Sequence, residues 1–411
     1  DRMYIGHIAD IGPDALTGVG VTMPVILCIS AFAALVSMGG APQASILMGK
    51  GKPDEAEKIL GNCTAMLILI AAALTAIFLF FGRSILMMFG ASDTTIVYAW
   101  DYMKIYVCGT LFVQMALGLN AFVNAQGFAG TGMITVAIGA VCNIILDPIF
   151  IFGLGMNVKG AALATIISQG VSCVWILKFL TGKRSILKIR RRNLKLEKHI
   201  VSACISLGLA PFIMQFTESA LFVSFNTNLL KYGGDIAVGA MTILSSVMQF
   251  SMLILQGLTQ GSQPIVSFNY GAGNIERVKK AFHLLLRIAT CYSVLLWALC
   301  MFCPQIFVSI FTSDPELKAY TIWALRIYMG ASLIFSVQIS CQQTFIALGN
   351  AKTSVFLALL RKIILLIPLI FLLPLVFENK AMGVFIAEPI ADVLAVTTTA
   401  FLFYREYKKL K

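Results

Sequence analysis

The chain has 411 residues, 59% of them hydrophobic and 12% charged, with a formal net charge of +12 and a mean hydropathy of +0.88. A water-soluble domain carries about 25% charged residues, so this chain has too little polar surface to cover a globule in water, and lipid is the remaining solvent. The positive charge does not imply nucleic acid, because the basic residues collect in alternate loops between apolar runs.

The sequence opens on DRMYIGHI, which reads as the outer end of a helix whose beginning is missing, with no initiator Met and no signal peptide. A helix crosses the hydrocarbon core in about 20 apolar residues. Such runs follow at 16–44, 62–81, 102–126, 133–153, 160–180, 200–230, 236–267, 281–303, 321–348, 354–376 and 383–404. They are too long and alternate too little for barrel strands. The expected fold is all-α and integral to the membrane: twelve transmembrane helices in two parallel-related six-helix bundles. Residues 1–180 form the first bundle, 181–199 a basic linker and 200–411 the second.

Basic residues mark the turn at Lys50, Lys52 and Lys58, the linker TGKRSILKIRRRNLKLEK, the turn at Arg277, Lys279 and Lys280, Lys352, and the end at Arg405, Lys408, Lys409 and Lys411. The intervening loops carry Asp10, Asp14, Asp93, Asp235, Asp314, Glu316 and Glu378 with fewer cations. The positive-inside rule then puts the basic loops and the C-terminus in the cytoplasm. The linker reads as a solvated segment beside anionic lipid rather than an RNA-binding patch.

The two halves align at a nearly constant shift. Pro42 matches Pro264, Gly49 matches Gly271, Gly51 matches Gly273, Phe89 matches Phe311 and Gly127 matches Gly349, while Gly160 matches Gly383 with the shift grown by one. Six helices per repeat enter the membrane in the same direction, a transporter architecture in which the substrate path runs between the halves.

Charges at bilayer depth are costly and mark pathways or coupling sites. Asn143 and Asp147 lie four apart on one helix face. Asp147 is about 10 Å below the outer end of its helix, Thr165 about 8 Å into the next one, and Asp1 about 12–15 Å deep. Asp1, Asn143, Asp147 and Thr165 can therefore meet at one depth and hold a proton or, as a metal site, a sodium ion; the plainer alternative is that Asp147 bridges helices beside Pro148. Glu218 falls near mid-membrane in a helix that Pro211 is expected to kink, as a substrate or proton group or an interhelical hydrogen bond. Glu388, the repeat equivalent of Thr165, shares a helix face with Asp392, for function or for structural pairing. Gln215, Met248 and Gln342 belong to a Met-, Phe- and Gln-rich set in the second half that suits bulky amphipathic cations, against the alternative of ordinary packing. Ten cysteines and three histidines form no ligand cluster. No cofactor is expected beyond the coupling ion. The expected partners are small molecules and membrane lipid, with no nucleic acid, and the chain is expected to be a monomer.

DRMYIG is similar to the end of helix 1 in the multidrug and toxic compound extrusion (MATE) family. GKGKPDEAEKILGN, NIILDPIFIFGLGMNVKGAALATIISQ, LLKYGGD and GLTQGSQPIVSFNYGAGN resemble its bacterial MepA-like branch across essentially the whole chain. The resemblance implies a twelve-helix, two-lobe, V-shaped antiporter that exports drugs against protons or sodium by alternating access. It implies a first-lobe cation cluster at Asp1, Asn143, Asp147 and Thr165, and a helix 7 glutamate at Glu218. Three departures stand out: no acid lies between Leu333 and Leu348, Gln126 replaces the usual glutamate of an Ala-Glu-Gly turn, and Glu388 replaces the usual glycine before Pro389. A lipid-linked-precursor flippase is the alternative transporter. A membrane enzyme would need a nucleophile–base pair or metal ligands at depth, and GxxxxGK[ST], which would bind ATP, is missing.

Overall fold

The computed structural model describes residues 2–5, 8, 12–89, 91–312 and 314–410. Among them every regular element is helical. The first half holds α1 (Arg2–Ile5), α2 (Gly12–Val21), α3 (Met23–Gly49), α4 (Pro53–Met88), α5 (Thr95–Cys108), α6 (Thr110–Ala125), α7 (Ala129–Pro148) and α8 (Asn157–Thr181). Next come α9 (Lys198–Gly271), α10 (Ile275–Phe302), α11 (Pro304–Phe311), α12 (Pro315–Tyr328), α13 (Phe335–Ala347), α14 (Ala351–Leu359), α15 (Ile367–Val376) and α16 (Lys380–Lys409). A π-helical turn, Ile149–Gly153, prolongs α7, and a second, Leu360–Leu366, joins α14 to α15.

Eight of the described helices are long and apolar enough to cross a membrane, and two bent pairs raise this to ten: α5 with α6 at 57° and α12 with α13 at 44°. Each of the eleven expected runs falls on one of these spans, because the 74-residue α9 carries two of them. Its helix breaks at Gly234 (φ 67°, ψ −165°), a conformation open essentially to glycine alone. At Pro211, where a kink is expected, the backbone dihedrals stay helical. The apolar side chains that face away from the helices' packing, Phe80, Met88 and Val376 among them, are exposed, as a lipid-facing surface requires.

The chain divides into two compact units, Asp1–Gln215 and Phe216–Lys411, so the opening turns of α9 belong with the first. Without a hydrophobic drive between helices in lipid, close backbone approach through small residues holds such bundles together. In the first unit Gly39 of α3 faces the Cys204 carbonyl of α9 and Gly208 faces the Leu35 carbonyl, so closely that a methyl group at either would collide with backbone.

The sequence repeat has a structural counterpart inside each unit. Ser45 Oγ donates to the Ala125 carbonyl at 3.2 Å, and Ser267 Oγ, 222 residues on, donates to the Ala347 carbonyl at 2.8 Å. The matched glycines Gly51 and Gly273 turn their chains at φ 72° and 75°. Gly160 lies against the Phe150 backbone, 2.7 Å from where its Cβ would be, and Gly383 lies likewise 2.9 Å from Pro374. Each glycine lets its helix pack directly on the backbone of the segment before it.

The basic linker is docked rather than simply solvated. Gln126 Oε1 accepts from Ser185 Oγ (2.9 Å) and from the backbone amides of Ile186 (2.8 Å) and Leu187 (2.9 Å). Buried Glu57 meets Arg190 Nε at 2.7 Å and the Lys188 amide at 3.1 Å, and Asn62 Oδ1 accepts from the Glu197 amide at 2.6 Å. The departure at Gln126 thus keeps the acceptor oxygen that the linker uses.

Candidate functional site

In the first unit, α7 and α8 form an antiparallel pair tied by Ser172 Oγ, which donates to the Thr135 carbonyl at 3.0 Å. Pro148 has no amide donor, and the chain passes straight into the π turn Ile149–Gly153. Immediately before Pro148 sits Asp147, fully buried. Asn143 Nδ2 donates to Asp147 Oδ1 at 3.3 Å and lies 3.4 Å from Thr165 Oγ1, which itself donates to the Ala161 carbonyl at 3.0 Å. The structure therefore brings together three of the four residues expected to share one depth. Asp1 lies outside the described residues.

The second unit holds a buried ionic cluster. Arg361 Nε donates to Asp392 Oδ1 at 2.7 Å and Arg361 Nη2 to Glu388 Oε1 at 3.3 Å, with side-chain exposures of 11%, 2% and 4% for Arg361, Asp392 and Glu388. The four-residue spacing on α16 presents both carboxylates to one guanidinium, whose fork can engage two acceptors at once. Arg361 also lies 5.7 Å above the Phe335 ring. The next residue, Lys362, places Nζ 2.7 Å from Glu218 Oε1 of α9. Lys362 is itself buried, at 8% side-chain exposure, whereas the Glu218 side chain is 56% exposed. All three carboxylates and both cations interact electrostatically. Three negative and two positive groups leave the cluster at −1 when all are ionised.

The remaining expected residues scatter. Met248 packs against the buried cluster of Leu255, Ala289 and Phe335, the last of which carries the ring beneath Arg361. Gln342 is buried and accepts from Gln338 Nε2 at 3.3 Å. Gln215 is part-buried at the end of the first unit.

Arg361 and Lys362 are absent from the sequence-based expectations. The available signal was an Arg-Lys pair ten residues into α14 and its continuation, about 15 Å from the helix start and inside the run 354–376. An uninterrupted apolar count hides such a pair, although a cation at that depth calls for a carboxylate partner.

Residues 1–149 and 211–372 match the MatE family model, well over half of the chain. The chain belongs to the MATE family. It is 26% identical to the multidrug export protein MepA of Staphylococcus haemolyticus over 384 residues, 93% of this chain and 84% of that one. It is 24% identical to the FAD transporter of Shewanella oneidensis over 421 residues, 98% of this chain and 90% of that one. The solved MATE multidrug transporter DinF-BH in complex with R6G is 31% identical with a TM-score of 0.90, covering 98% of this chain and 90% of that one. A MATE crystal structure in the bent conformation shares the fold, with a TM-score of 0.93 at 22% identity over 100% of this chain and 91% of that one. The protein is thus a multi-pass membrane transporter with the twelve-helix fold of that family, and not an enzyme.

Proposed function

We propose that this transporter is an antiporter that exports amphipathic cationic drugs by alternating access in exchange for protons or sodium. The observation that carries the reading is the Asn143–Asp147–Thr165 group around buried Asp147, beside the π turn that prolongs α7. A carboxylate held by an amide and beside a hydroxyl at bilayer depth can take a proton, or ligate sodium together with Asp1. Either ion removes the cost of leaving the charge in lipid. No cofactor enters this scheme. The basic loops and C-terminus would face the cytoplasm of a bacterial inner membrane, with the chain acting as a monomer in contact with lipid. The second unit supports a cationic cargo, because its ionic cluster carries one negative charge in excess of its two cations.

The flippase alternative and an anionic cargo such as FAD both need cations free to meet phosphate. Arg361 and Lys362 are each engaged by carboxylates, which weighs against both. The test is efflux of ethidium from proteoliposomes under an imposed proton or sodium gradient, with Asp147→Asn as the control. Export driven by one gradient and lost in a normally folded Asp147→Asn protein names the ion. Undiminished gradient-driven export by that variant rejects Asp147 as the coupling group.

A further inference from the structure

The two adjacent cations of the second unit have different neighbours and, from that, different work. Arg361 is locked: it is nearly buried, bound to two carboxylates of α16 and seated on the Phe335 ring. Lys362 is the opposite case. Its whole side chain is buried, and its one described ion pair is with Glu218, a side chain more than half exposed. The π turn Leu360–Leu366 supplies this division of labour. Consecutive residues on such a turn point roughly a quarter turn apart, which sends Arg361 toward α16 and Lys362 toward α9, and π turns are frequent at functional sites.

We propose that Lys362 is a built-in competitor of the cationic substrate, a specificity-determining residue whose ammonium occupies Glu218 until a substrate cation displaces it. The inference rests on the cation-export reading above. An ammonium on a flexible four-carbon stem is a point charge that can withdraw, whereas a guanidinium held by two carboxylates is pinned. In the empty protein the pair keeps Glu218 charged without leaving it alone at bilayer depth. An amphipathic monocation that reaches Glu218 replaces one positive charge by another there, and the released ammonium stays in the field of Glu388 and Asp392, whose two charges Arg361 alone does not balance. A neutral or anionic molecule offers no such replacement and leaves the pair closed. Lys362 thereby sets an affinity threshold that selects for charge, and Glu388, Asp392 and Arg361 form the rigid wall that positions it.

The experiment measures ethidium binding by fluorescence anisotropy to the purified full chain in lipid nanodiscs, with the anion fluorescein in parallel. The proteins compared are the wild type, Lys362→Met, Lys362→Arg, Glu218→Gln and the double variant Glu218→Gln/Lys362→Met, each first shown to be monodisperse. Because only one partner of the competing pair is exposed, Lys362→Met should tighten ethidium binding about threefold to fivefold without tightening fluorescein. Lys362→Arg should stay near the wild type, and the double variant should lose the gain, because the gain requires the Glu218 charge. Ethidium binding by Lys362→Met but not by the wild type supports the competition while counting against cation export by the native protein. Unchanged ethidium binding in Lys362→Met, alongside normal ethidium export by the wild type, overturns the inference and leaves the export reading in place. A gain that persists in the double variant, or one shared by fluorescein, also overturns it.

Discussion

Removing the guanidinium of Arg361 tests whether the second unit depends on its ionic cluster. Glu218, Glu388 and Asp392 carry three negative charges against the two positive charges of Arg361 and Lys362, a sum of −1; Arg361→Met takes this to −2. It also strands two buried carboxylates four residues apart on α16, each without the hydrogen bond it now receives. Breaking a buried pair by deleting one partner costs about 3–5 kcal/mol. For a folding unit the size of residues 216–411, each kcal/mol moves the unfolding midpoint by about 2–4 °C. The drop should thus lie between about 6 and 20 °C, toward the lower end because a stranded carboxylate can take up a proton. The assay is thermal unfolding in detergent followed by tryptophan fluorescence, at pH 7 and pH 5. The deficit should shrink at pH 5, where protonation removes the uncompensated charge. Arg361→Met/Glu388→Gln/Asp392→Asn should recover much of the loss, since no charge is left unpaired at that end of the cluster. A single variant within about 2 °C of the wild type, or a triple variant no more stable than the single one, would refute this account.

Three further outcomes follow from other parts of the fold. Gly208→Ala should destabilise the first unit by about 1–3 kcal/mol, since its methyl meets the Leu35 backbone, which cannot swing aside as a side chain could; a lower unfolding midpoint checks this, and wild-type stability would contradict it. Gln126→Leu leaves three donors of the linker without their shared acceptor, at about 1–3 kcal/mol for each one left buried, so limited trypsin digestion should cut at Lys183–Arg192 several times faster. Gln126→Glu keeps the acceptor and should cleave at the native rate. Asn143→Leu should leave the helices folded yet lower gradient-driven ethidium efflux about tenfold or more, because Asp147 loses its amide donor and Thr165 its neighbour; unchanged efflux would remove Asn143 from the site.

Much of this molecule is legible in the sequence, for a physical reason. Lipid admits only segments that satisfy their own backbone hydrogen bonds, so apolar run length alone located every span from 16–44 to 383–404. The repeat was equally open, because turns and close helix approaches demand particular small residues: Gly51 with Gly273, and Gly160 with Gly383, recur where the same geometry recurs. The meeting of Asn143, Asp147 and Thr165 could be read from helix rise and a short connection. What needed the tertiary structure was contact between residues distant in the chain. Arg361 and Lys362 sit in a run apolar enough to be counted as a plain span, and only the packing of α9 and α16 around that π turn reveals Glu218, Glu388 and Asp392 as their partners. The linker likewise reads as a soluble basic stretch until Glu57, Asn62 and Gln126 are found holding its backbone. Spans follow from the solvent, which acts on each residue separately. Charge pairing and docking depend on which helices come together, and that is decided by the fold as a whole.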